Sequence, residues 1–169
     1  MSKYETPDYE VITIEEPFEI RQYGSFYIVE YDNVRDPEIN NGFGTLFRYI
    51  SSDNAEKKKI NMTIPVIEEM TDNGLKMAFV VPKEHWDNTP MPNNPNLSVR
   101  EFRHGQFAVI RYSGFSNTKK EKMKLELLES WIGQRGYKKA SNAMLAFYNA
   151  PFTPPMFRRN EIMIRVEAS

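Results

Sequence analysis

The chain has 169 residues, with 22 Lys and Arg against 23 Asp and Glu and no cysteine. This length suits one domain, or two small halves sharing a core, and nine tyrosines and eleven phenylalanines supply the bulk for one. The near-neutral balance argues against a nucleic-acid partner, which would need a basic footprint, and the missing cysteines remove disulfides, thiolate catalysis and thiolate metal sites together. The N-terminal MSKYETPDYE has neither a basic n-region nor an apolar h-region. No apolar run reaches the roughly 20 residues of a membrane span. The expectation is therefore a soluble, cytoplasmic protein.

In chain order, residues 9–14 (YEVITI) and 18–21 read as extended segments broken at Pro17. YGSFYIVEY (23–31) alternates, sending Phe26, Ile28 and Glu30 one way and Tyr27, Val29 and Tyr31 the other. Asp36-Pro37 predicts a helix start, because Asp accepts backbone N–H bonds at the cap and Pro loses none at the first position. Ile39, Phe43, Leu46, Phe47 and Ile50 then share one face, and the helix should stop by residues 51–54. Residues 60–70 and 75–82 read as strands joined by TDNG (71–74), with Asn-Gly at the centre of the turn. A long loop with Pro90, Pro92 and Pro95 follows.

The plan then recurs. HGQFAVIRY (104–112) matches YGSFYIVEY with Gly, Phe and Tyr in register. Thr118 and Glu121 form a capping box that opens a helix carrying Met123, Leu127, Leu128, Trp131 and Ile132 toward a core and ending by residues 133–136. Residues 143–151 and 160–168 read as two more strands, and Pro151 occupies the place that Pro65 has in the first half. The chain is thus expected to be one domain over 1–169, built from pseudo-repeats at approximately 18–82 and 99–168. Each repeat is strand–helix–strand–strand, and sites are expected where two such halves meet.

Chemistry-bearing motifs are sparse. His85 and His104 have no metal-ligand spacing with another donor, and each is expected to be a solvated loop or turn residue. No GxSxG elbow, phosphate-binding glycine loop or EF-hand loop occurs. Adjacent acids such as Glu15-Glu16 and Glu68-Glu69 read as solvated faces, and the strand methionines Met62, Met77, Met144 and Met163 as adaptable core filler. On the first helix, Phe47 shares a flank with Asn40, Gly44, Ser51 and Arg48. A glycine inside a helix costs about 1 kcal/mol relative to alanine. A shallow apolar shelf edged by a cation is one reason to keep it there, and close packing of Gly42 and Gly44 on a sheet is the other.

FEIRQYG (18–24), GFGTLFRYISSDN (42–54), KINMTIPV (59–66), MAFVVP (77–82), FAVIRYSG (107–114) and YNAPFTPPMFRRNEI (148–162) come in an order that resembles the SOUL haem-binding protein family. The resemblance runs from about residue 9 to 166. It implies an α+β fold of duplicated βαββ repeats, with antiparallel strands forming a distorted barrel and two helices packed outside. The same fold occurs in gyrase-inhibitor-like effector-binding domains. It also implies binding of haem or another tetrapyrrole, with a non-catalytic role as carrier or buffer. In haem-binding members the ring lies along an apolar groove of the first helix with basic side chains near the propionates. The positions matching that groove are Phe43, Phe47 and Arg48, with Gly44 between them. Some relatives carry an axial histidine where this chain has Gln22, so no axial ligand is assigned and weak binding is expected. Burying roughly 300 Å² of apolar ring yields about 7 kcal/mol before immobilisation costs, which corresponds to micromolar affinity at best.

The alternative reading is a small-organic-molecule binder or hydrolase using the cleft between the two halves, for which a buried Glu between aromatic walls would be the mark. A third is a protein-interaction module using the proline loop at residues 90–95. The closing YNAPFTPPMFRRNEIMIRV (148–166) reads as the second half's strand–turn–strand. Alternation there would send Arg158 and Arg159 to opposite faces, so at most one could reach a given site, with one pairing an acid inside the fold and the other solvated.

Overall fold

The structure is a computed structural model that describes residues 4–33, 41–150 and 152–169. It is α+β, with strands β1 (Tyr9–Glu15), β2 (Phe18–Tyr23), β3 (Phe26–Tyr31), β4 (Val66–Thr71), β5 (Gly74–Val80), β6 (Leu97–Phe102), β7 (Gly105–Tyr112), β8 (Tyr137–Lys139), β9 (Met144–Phe147) and β10 (Asn160–Ala168). Helix α1 spans Gly42–Ser51 and α2 spans Thr118–Gln134. The chain divides into two compact units, one of Met1–Pro7 with Ser25–Arg103 and one of Asp8–Gly24 with His104–Ser169.

In the first unit the strand order is β4-β5-β3-β6, every pair antiparallel. Its core gathers Val29 and Tyr31 of β3, Leu46, Tyr49 and Ile50 of α1, Phe79 of β5, and Ile60 and Leu97. In the second unit the order is β1-β2-β7-β10-β9, with β8 also on β10. There Leu128, Trp131 and Ile132 are the buried residues of α2, and Phe18 of β2 stacks on Trp131 with ring centroids 4.9 Å apart. In both units a strand, a helix and two strands share one arrangement, β4-β5-β3 in one and β9-β10-β7 in the other. The fourth strand is exchanged. β2 directly precedes β3 yet pairs with β7, and β6 directly precedes β7 yet pairs with β3. The expected barrel is not closed within either unit, each being a sheet that does not return on itself.

Several local expectations differ from the structure or lie outside the described residues. Asp36-Pro37 and Ile39 lie outside the described residues; the described α1 begins at Gly42, capped by Asn41. Phe43 and Phe47 are not core residues, because the buried face of α1 is Thr45, Leu46, Tyr49 and Ile50. Residues 60–65 are not strand. Pro65 cannot donate to a ladder, Ile60 N–H bonds the Ile50 carbonyl and Thr63 Oγ1 bonds the Val80 carbonyl. The β4–β5 turn centres on Asp72-Asn73, and Gly74, at φ +125, is already the first residue of β5. Asn117 rather than Thr118 caps α2, its Oδ1 accepting from Lys120 N–H at 2.9 Å, while Met123 and Leu127 face solvent. Strands β6 and β8 were not expected; each is short or weakly alternating.

One polar network lies inside the second unit. Arg21 on β2 and Glu161 on β10 are both fully buried and form a two-pronged pair, Nη1 to Oε1 and Nη2 to Oε2, each at 2.7 Å. Arg21 also donates to Glu19 (2.6 Å) and to the Tyr23 hydroxyl (3.0 Å), and its guanidinium lies 4.4 Å from the Tyr9 ring centre. Arg159 donates to Glu161 Oε2 at 3.0 Å and to the Tyr9 hydroxyl at 3.1 Å. Burial alone would raise the Glu161 carboxyl, but the hydrogen bonds and charge of Arg21, together with Arg159, hold it below the ordinary carboxylate value. Burial pushes the Tyr23 phenol up to about 12 despite the opposing pull of Arg21.

Two predictions concern this pair. Glu161→Gln removes the fully buried carboxylate that Arg21 and Arg159 share, leaving Arg21 only Glu19 as an acidic partner, and should lower the unfolding free energy by about 3 kcal/mol in urea titrations, with only a minor loss excluding this role. Because the Glu161 carboxyl is depressed in the folded state, its stabilisation is complete above the unfolded value of 4.5 and is lost as pH falls through the folded value. Urea midpoints of the wild type should therefore fall on acidification below about pH 4.5, and Glu161→Gln should flatten that slope.

Candidate functional site

Helix α1 opens with its cap. Asn41 Oδ1 accepts from Gly44 N–H at 2.8 Å, and a Cβ placed on Gly44 would come within 2.5 Å of the Asn41 side chain. The cap therefore accounts for this glycine, and Gly42 lies against the Tyr31 ring. The helix is pinned from inside by Tyr49, whose hydroxyl donates to the Pro90 carbonyl at 2.5 Å. Burial pushes that phenol up to about 12, with the Glu56 charge adding to it.

The opposite flank leaves two large aromatic rings in solvent. Phe43 is 45% exposed and Phe47 50%. Their rings lie nearly parallel, 15° apart in plane and 6.2 Å between centres. Phe79 of β5 backs the first of them, meeting Phe43 edge-on at 5.4 Å. Arg48 follows Phe47, exposed, with Nη2 on Thr45 Oγ1 at 3.2 Å. The expected residues of the first helix thus form a shelf. Two stacked rings present an apolar surface, a third supports Phe43 and one guanidinium stands at its edge. This outer flank of α1 offers a flat apolar surface that a planar molecule could cover. The part of Phe79 was not foreseen; its only signal was its place in the strand MAFVVP.

Other expected positions fall elsewhere. Gln22 lies on β2 in the second unit, half-buried, with its side chain near the Tyr23 carbonyl. His85 is buried rather than solvated, because the 3-10 turn Lys83–Asn88 folds it inward, with Nε2 3.3 Å from Glu84. Among the described residues no group of three His, Cys, Asp or Glu is placed to hold a metal ion, and no helix is long and apolar enough to cross a membrane. A buried Glu with tyrosines around it does exist: Glu161, whose network includes Tyr9 and Tyr23. Both its oxygens are engaged by arginines, whose hydrogen bonds and charge keep the carboxylate below its ordinary value and so make it a weaker base.

Arg158 and Arg159 depart from strand alternation. The ladder of β10 begins at Asn160, and Arg158 still belongs to the end of a 3-10 turn, Pro155–Phe157. Both arginines therefore line one cleft, with Arg159 paired to Glu161 as expected and Arg158 half-buried, laid over the Phe115 ring at 4.7 Å.

Solved structures share this fold at very low identity. The C-terminal domain of EcmrR is similar with a TM-score of 0.62 and 9% identity, over 95% of this chain and 99% of that one. A protein described as a hydrolase from Listeria innocua is similar with a TM-score of 0.58 and 8% identity, over 92% and 94%. These likenesses concern the fold alone. No curated protein matches the chain. The family model described as SOUL heme-binding protein matches residues 4–165, nearly the whole length, and the chain belongs to that family.

Proposed function

We propose that the protein binds haem or a related tetrapyrrole against the α1 shelf and acts as a non-catalytic carrier or buffer. The observation that carries this reading is the pair of parallel, half-exposed rings of Phe43 and Phe47 with Arg48 beside them. A porphyrin is a flat apolar ring with two carboxylates on one edge. The two phenylalanines would take its face, and Arg48 would pair with a propionate. Haem, when bound, supplies an iron centre; the residues named here stack, exclude water and neutralise charge. Gln22 provides no imidazole, so binding rests on the ring and the propionates rather than on iron. Burial of one face leaves the other in water, which suits reversible loading.

Haemin titrated into the full chain should shift the Soret band saturably at about 10 µM. Phe47→Asp combined with Arg48→Glu should weaken that binding at least ten-fold, and no saturable shift in the wild type would end the reading. Metal-free protoporphyrin should bind within about three-fold of haemin, since iron contributes little here, while its dimethyl ester should bind more weakly for want of the Arg48 contact. A large preference for haemin over the metal-free ring, read by fluorescence quenching, would instead show that a protein side chain ligates the iron.

A further inference from the structure

A cleft of about 580 Å³ in the second unit takes no part in the reading above. Arg111, Lys120, Lys124, Arg158 and Arg159 all line it, and among the described residues no carboxylate does. The acid behind it, Glu161, is fully buried and already shared by Arg21 and Arg159, with Arg111 4.0 Å away.

Arg159 is paired with Glu161, whereas a backbone carbonyl and a tyrosine ring position the two lysines. Lys120 and Lys124 stand one helical turn apart on α2 and converge on the ring of Tyr112, at 5.7 and 5.9 Å. Like charges at this spacing repel, and Lys120 lies in the first turn of α2, where the helix dipole is positive and disfavours a cation. Lys120 is fixed by a 2.6 Å bond to the Ser113 carbonyl. Gly114 permits that position, since at φ +89 a Cβ there would lie 2.6 Å from the ammonium. From the other side, Arg158 donates to the Thr153 carbonyl at 2.9 Å, and the Arg159 guanidinium stands 3.9 Å from the Tyr148 ring centre. The lip of the cleft is apolar: Met156 and Phe157 are 75% and 70% exposed.

We propose that this cleft binds a phosphate monoester attached to an apolar body. Cations approaching from α2, from β7 and from the start of β10 match a tetrahedral dianion with several acceptor oxygens better than a single planar carboxylate. Met156 and Phe157 would cover the apolar part. The phosphate can come from a soluble aromatic ester or from an anionic lipid headgroup; the chemistry is shared and the two are separable by experiment.

The test uses the full chain with two probes: 1-naphthyl phosphate followed by calorimetry, and sedimentation with phosphatidylcholine vesicles containing phosphatidic acid. Inorganic phosphate and 1-naphthol serve as the two halves of the soluble probe. At least one probe should bind saturably below about 1 mM, and naphthyl phosphate, if it is that probe, should bind better than either half. Lys124→Glu should weaken binding at least ten-fold, Lys124→Arg should restore most of it, and Phe157→Ser should weaken it several-fold. Lys119→Glu, an exposed charge change on the same helix outside the cleft, should leave it within two-fold. Binding of naphthyl phosphate alone assigns the soluble source, and binding of vesicles alone assigns the lipid. Failure of both probes, or equal losses in Lys119→Glu and Lys124→Glu, overturns the proposal. Phe47→Asp should not alter this binding, so its outcome is independent of the haem reading.

Discussion

The second unit is organised around one buried interaction, the two-pronged pair between Arg21 and Glu161. Taking two charges out of water costs several kcal/mol per ion, recovered only when geometry is good and the remaining donors and acceptors are met. Here they are: Glu161 receives Arg159 as well, and Arg21 also reaches Glu19 and Tyr23 and faces the Tyr9 ring. The pair ties β2 to β10 across the intervening β7. Slipping β2 by one residue against β7, where Arg21 opposes Phe107, would turn the guanidinium to the other face of the sheet. The pair therefore acts on register as much as on stability.

The same network sets the character of the surface above it. Glu161 keeps its charge inward, while Arg111 and Arg159 gather on its outer side and leave an excess of positive charge at the cleft. The first unit offers a different surface. On α1 the inner face is closed by Leu46, Tyr49 and Ile50, and what remains outward is aromatic. An apolar shelf with one cation and a cationic cleft with an apolar lip select for different molecules, and they occupy different units of the fold.

Much of this was legible in the sequence. The α+β class, the repeated order of strand, helix and paired strands, and the span of the final strand at 160–168 all follow from alternation and spacing. The α1 flank was visible as a wheel pattern, yet periodicity alone assigned Phe43 and Phe47 to the core as well as to the shelf. A helix ten residues long has apolar groups on more of its circumference than its sheet can cover, and only the sheet's position decides which are left out. His85 was misread because a polar residue in a proline-rich loop carries no signal of burial. The pairing of one arginine with an inner acid was read correctly in Arg159, but the opposite-face placement was not, because alternation does not apply before the ladder begins at Asn160. The Arg21–Glu161 pair had no sequence signal at all, being a contact between residues 140 positions apart.

The exchange of β2 and β6 bears on how the protein can be made. During vectorial synthesis the segment 8–24 emerges early, but its partners β7 and β10 are far downstream. The first unit can close once β6 is available, whereas β2, paired with β1 along one edge, must leave its other edge open until the second helix and its strands are made. Long-range pairing of this kind is slow and leaves strand edges open to other chains meanwhile. The charged side chains that crowd β1 and β2, among them Glu10, Glu15, Glu19 and Arg21, suit that interval, since charge along a waiting edge discourages pairing with a stranger.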